Sequence, residues 1–230
     1  MKHRIFWIAL YGWAFTYHGL LWIHVYLNLS NVDLAIVSMA LGLLFIWGTL
    51  FAIFQKYIMN KFEPKKVTFT KFFLVIMLGF IGLALTAEIV STLMTNTAYL
   101  WSLSPYDAYI TASPNYIEVV TKHSVIVFIP QFIAIAILHY RYQFKAFQWF
   151  IIYGLIGYIN EWLAFGASAS MVSIPFWMII YGWIVYLPTY IILPSKERLP
   201  FKTYHYIMAI IFPLVLSIPW ALLIIEWFHT

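Results

Sequence analysis

Between two long apolar runs stands QKYIMNKFEPKKVTFTK, residues 55–71, which holds five of the chain's 13 Lys and Arg. Lys2 and Arg4 precede the first apolar run, Arg141 and Lys145 follow the fourth, and Lys196, Arg198 and Lys202 follow the sixth. Only Lys122 breaks the pattern. Insertion keeps basic residues on the cytoplasmic side, so this alternation predicts seven crossings with the N-terminus inside and the C-terminus outside.

A helical crossing takes roughly 20 apolar residues. The runs fall at about 5–26, 33–54, 71–95, 115–140, 146–166, 172–193 and 204–227. The expected fold is all-α, a seven-transmembrane-helix bundle, with residues 1–230 as one transmembrane domain. A chain 64% hydrophobic and 9% charged does not describe a soluble domain. Its net charge of +5 comes from the inner loops, so it does not point to nucleic acid. There is no cysteine, which removes disulfides, thiolate metal sites and thiol nucleophiles. The first segment is expected to be retained as a transmembrane helix and not removed as a signal peptide. The expected location is the plasma membrane, as a multi-pass protein.

Local signals add detail. Ser113-Pro114 reads as an N-cap followed by Pro at the first helical position. Glu118 and Lys122 stand four apart and can pair. Residues 34–54 have no ionisable group after Asp33 and are expected to face lipid. Pro130, Pro175, Pro188, Pro213 and Pro219 lie inside or at the ends of spans, where prolines kink helices and free backbone carbonyls. Gly79-Phe80-Ile81-Gly82 before Glu88 echoes Gly154-Leu155-Ile156-Gly157 before Glu161, and GxxG lets helix backbones approach closely.

The acids oppose the bases: Asp33, Glu88, Asp107, Glu118, Glu161 and Glu226 belong to the outer half, and only Glu63 and Glu197 lie inside. Insertion sorts acids weakly, so the bias suggests a polar site open to the outer side. Glu88 and Glu161 carry it. A carboxylate inside a span costs about 2.5–3.5 kcal/mol on insertion scales and needs a partner, a cavity or a proton. Thr86, Ser91, Thr92 and Thr95 surround the first, and Asn160, Ser168 and Ser170 the second. Both are candidates for proton transfer in water-poor surroundings, with Glu161 as general acid, Glu88 as partner carboxylate, and His24 or His123 orienting one of them. Trp162, Trp177, Tyr181 and Asn160 are the candidate substrate contacts. Ring faces stabilise cations, so an aromatic-lined acid suits carbocation chemistry on polyenes.

No metal and no cofactor are expected. Haem would need His pairs on facing helices, and only His123 and His139 share one. A retinal Schiff base would need a Lys inside the last helix, where Lys202 stands only before its start. The reading is therefore an integral membrane acid/base enzyme for an apolar, isoprenoid-like or lipid substrate, with membrane lipids around it. Two alternatives stand beside it. One is a non-catalytic subunit of a respiratory or oxygenase-type complex with partner membrane subunits. The other is a small proton- or cation-coupled transporter.

The order Glu161, Phe165-Gly166, Ile174-Pro175-Phe176-Trp177 resembles membrane-embedded carotenoid-modifying proteins of the hydratase and heterodimeric lycopene-cyclase type. In those an acidic helix end leads through a Gly/aromatic loop to a Pro-opened helix. The resemblance covers only this short stretch. Phe176 and Trp177 stand where the cyclase carries an acidic cluster, which puts cyclase chemistry in doubt.

Overall fold

The computed structural model describes residues 3–28, 30–165 and 170–229, and only the backbone of 164–165 and 225–229. The described residues are 81% helical and form seven long helices. They are α1 (Arg4–Leu27), α2 (Asn31–Lys61), α3 (Phe69–Trp101), α4 (Tyr116–Arg141), α5 (Ala146–Phe165), α6 (Met171–Ile191) and α7 (Tyr204–His229). Five of them, α2, α3, α4, α6 and α7, are long and apolar enough to cross a membrane. The other two are rich in polar-edged aromatics. Trp7, Tyr11, Trp13, Tyr17 and Trp22 stud α1, while Trp149, Tyr153, Tyr158, Asn160 and Glu161 stud α5. At 1.5 Å per residue, the 24 residues of α1 and the 20 of α5 rise about 36 and 30 Å.

The basic connections meet at one end of the bundle. Strand β1 (Lys65–Val67) pairs in parallel with β2 (Ile192–Pro194), Lys65 opposite Ile192. The Ser195 N–H continues the ladder to the Val67 carbonyl at 2.8 Å. The third connection joins through Gln143 N–H to Leu199 O (3.0 Å) and Leu199 N–H to Arg141 O (2.8 Å). Lys196 lies over the Tyr140 ring at 4.4 Å. The opposite end carries the short α1–α2 turn and the loop after α3, where Asn96 Nδ2 donates to the Pro114 carbonyl at 3.0 Å.

The tightest packing is between α5 and α6. A Cβ on Gly154 would stand 2.7 Å from the Met178 Cα, and one on Gly182 would stand 2.7 Å from the Phe150 carbonyl oxygen. Small residues allow such approach between apolar helices. In α3, Gly79 lies against Pro188 of α6, but Gly82 faces open space, so the GxxG echo is matched at its first glycine only.

Two expectations are corrected. Helix α2 does not simply face outward: Trp47 is fully buried, and its indole N–H donates to the Ile180 carbonyl at 2.8 Å. Absence of charge marks depth in an apolar layer, not direction around the helix. Phe45, Leu50, Ile53 and Phe54 form its exposed side. The cap of α4 is Asn115, whose side chain accepts from the Ile117 and Glu118 N–H groups. Ser113 instead donates to Glu118 Oε2 at 2.8 Å, and Lys122 pairs with Glu118 Oε1 at 3.3 Å.

The proline expectation takes a specific form in α4. Pro130 has no N–H, so the Ile126 carbonyl loses its helical donor. Trp220 of α7 supplies the replacement, its indole N–H reaching that carbonyl at 2.8 Å. Helices α2 and α4 also contain π-helical stretches, Leu44–Phe51 and Val119–His123. In the first, the Gly48 carbonyl accepts the Tyr11 hydroxyl of α1.

Candidate functional site

On α5, Gly154, Gly157 and Glu161 follow helical spacing and face α6 together. With no side chain on Gly157, the Tyr181 ring lies directly against its backbone. That seat carries the Tyr181 hydroxyl to Glu161, where it donates to Oε1. Tyr181 is 8% exposed. Phe128 meets it edge-on at 5.7 Å, Trp177 lies at 6.2 Å, and Tyr153 stands at 6.2 Å from below on α5. The Tyr153 hydroxyl is buried and has no hydrogen-bond partner among the described residues. Pro175 opens the α-helical part of α6 at its first turn, which sets Trp177 and Tyr181 on one face.

Glu88 of α3 sits within electrostatic reach of both Glu161 and Tyr181. Its Oε2 accepts the Ser91 hydroxyl at 2.8 Å and the Thr111 hydroxyl at 3.4 Å. Ser124 lies alongside as a third hydroxyl, just after the π-helical stretch of α4. The neighbouring hydroxyls of α3 have other roles: Thr86 bonds the Gly82 carbonyl, and Thr95 accepts the Ile110 N–H.

Among the described residues neither His24 nor His123 is hydrogen-bonded to Glu88 or Glu161. His24 is exposed at the end of α1, in a groove shared with Asn28, Ser30 and Asp33. His123 is within reach of Glu118. Trp162 is 51% exposed. Asn160 exchanges two hydrogen bonds with Gln131 of α4, each 3.2 Å, and Gln131 also donates to Ser217 of α7 at 3.2 Å. Its amide is committed to joining helices. Ser168 and Gly166 lie outside the described residues, as do the side chains of Phe165 and Glu226.

Comparison with protein families, characterised proteins and solved structures gives no match.

Among the described residues no group of three or more His, Asp or Glu is placed to hold a metal ion. The site is an acid–phenol pair with a second carboxylate near it, walled by rings. Chemically it can hold, give up and recover a proton away from bulk water. Sequence reasoning did not find Thr111, Tyr153, Gln131 or Ser217. Gln131 and Ser217 could have been flagged as lone polar residues in mid-span, since such groups need partners there.

Proposed function

We propose that this chain is a multi-pass protein of the plasma membrane, crossed by all seven long helices, with the β1–β2 layer cytoplasmic. We read it as an acid/base enzyme acting on an apolar, isoprenoid-like or lipid substrate in the outer half of the bilayer. The hydrogen bond from Tyr181 to Glu161, held among Phe128, Trp177 and Tyr153, is the observation that carries this reading.

In the proposed reaction Glu161 gives its proton to one carbon of a substrate double bond. The π electrons form the new C–H bond, and the neighbouring carbon becomes a cation. The faces of Trp177 and Phe128 stabilise that cation. Loss of an adjacent proton to the Glu161 carboxylate then yields an isomerised alkene. Attack by water yields an alcohol instead, with the water's surplus proton returning to Glu161. Tyr181 fixes the carboxyl group in place throughout.

The test uses purified protein in lipid vesicles, supplied with linear isoprenoid polyenes or unsaturated acyl lipids in deuterated water. Wild-type protein should introduce solvent deuterium into one substrate class, read by mass spectrometry. Glu161→Gln keeps the shape but removes the transferable proton, and should abolish incorporation while leaving thermal stability intact. Equal incorporation by Glu161→Gln would overturn the assignment. No incorporation with either class, together with stable co-purifying membrane chains, would favour the subunit reading.

A further inference from the structure

The groove between the joined ends of α1 and α2 is polar at its mouth and apolar below it. Its volume is about 470 Å³, room for on the order of 15 groups the size of a water molecule. Asn28, Ser30 and Asp33 stand at the mouth, beside the turn that connects the helices. About one helical turn deeper the walls are Leu21 and Val25 of α1 and Ile36 and Val37 of α2. Trp22 and Tyr26, stacked at 5.3 Å, stand at the level of this step on α1, as rings do at the depth of lipid headgroups.

The mouth offers more acceptors than donors. Asp33 Oδ2 accepts the Ser30 hydroxyl at 2.6 Å, while its Oδ1 takes no hydrogen bond among the described residues. Asn28 gives its Nδ2 to the His24 carbonyl at 2.8 Å and to the His24 Nε2 at 3.3 Å, which leaves its Oδ1 to accept. No Lys or Arg lies between Arg4 and Lys56, so neither helix brings a cation to Asp33. Lys122, at the same end of the bundle, is paired with Glu118 at 3.3 Å.

We infer that this groove holds a phospholipid with a primary ammonium headgroup. Its acyl chain lies against Val25, Ile36 and Val37, and its ammonium sits on Asp33 and Asn28. A primary ammonium carries three N–H donors on one positive charge, which suits a carboxylate beside a second open acceptor. A quaternary ammonium brings the charge without the donors. The site lies on helices other than those of the Glu161–Tyr181 pair and involves no proton transfer. It rests on the reading that α1 and α2 both cross the bilayer, which cysteine labelling judges separately.

The test reconstitutes the full chain in vesicles of phosphatidylethanolamine and phosphatidylcholine in equal parts. Native mass spectrometry then counts the lipids retained on the protein. The two headgroups have the same net charge, so basic residues elsewhere do not sort them. Wild-type protein should retain phosphatidylethanolamine in excess by on the order of 2–5-fold, the scale of one exposed ion pair. Asp33→Asn keeps the shape of the side chain and should bring the ratio back to that of the vesicle. Ile36→Trp fills the apolar part of the groove and should remove the excess as well. Leu21→Trp, on the facing wall, replaces it if that variant does not fold. Equal retention of the two lipids by wild type would overturn the proposal, as would an excess that survives Asp33→Asn. An excess lost in Asp33→Asn but kept in both tryptophan variants would take the lipid out of the groove and overturn it too.

Discussion

Gly157 of α5 and Tyr181 of α6 cannot both carry a side chain at their contact: a Cβ on Gly157 would overlap the ring and stand 2.6 Å from the Tyr181 Cβ. Gly157→Ala should therefore push Tyr181 off its seat and break its bond to Glu161. Overpacking of this kind typically costs about 1–3 kcal/mol. The variant should melt earlier than wild type and lose deuterium incorporation. A normal melting temperature with full incorporation would show that α5 and α6 can separate without loss.

Trp47 and Trp162 should respond oppositely to the same change. Trp47→Phe removes a buried hydrogen bond to the Ile180 carbonyl, a loss of about 0.5–1.5 kcal/mol, and leaves a gap at a fully buried position that adds to it. Trp162 is half exposed and its replacement by Phe should stay within about 0.5 kcal/mol. Thermal unfolding in one detergent compares them directly.

The bond from Trp220 to the Ile126 carbonyl exists because Pro130 cannot donate there. Trp220→Phe should therefore destabilise the protein by about 1–3 kcal/mol when Pro130 is present. In a Pro130→Ala background the backbone regains its own donor, and the same substitution should cost clearly less. A double-mutant cycle measures the difference. Additive effects would mean that the indole and the proline are uncoupled.

The orientation is open to a direct check, since the chain has no cysteine of its own. Single cysteines at Asn31 and Thr111 should react with a membrane-impermeant thiol reagent in intact cells. Cysteines at Lys61, Gln143 and Lys196 should react only after permeabilisation. Labelling of Lys61 with protection of Thr111 would invert the bundle and move the proposed site to the cytoplasmic half.

Charge and hydropathy in the sequence located the helices because both report depth in an apolar layer. They located helix ends less well. Helix α2 was expected to stop near residue 54 and runs to Lys61, since Gln55, Lys56 and Met59 favour helix beyond any apolar layer. The β1–β2 pairing was invisible, each strand having only three residues and no alternating pattern. Glu88, Glu161 and Tyr181 could be picked out because carboxylates and a deep phenol are conspicuous in apolar helices. Depth alone could not say which way a side chain turns. His24 was grouped with the acids as a residue of the outer half, yet it faces the α1–α2 groove. Thr111 was missed for another reason: it reaches Glu88 from a loop, where no periodicity applies.

The glycine face of α5 also bears on how the chain is made. This helix carries Asn160 and Glu161 and falls short of the apolarity that marks five of its neighbours, so as a lone segment it would be a poor candidate to leave the translocon for lipid. Its best cover is α6, which emerges next and supplies both the surface for Gly154 and Gly157 and the hydroxyl for Glu161. The two helices are thus suited to partition as a hairpin, with α5 waiting until its successor is synthesised. The residue pair that would do chemistry in the finished protein would then first serve as a clasp during biogenesis.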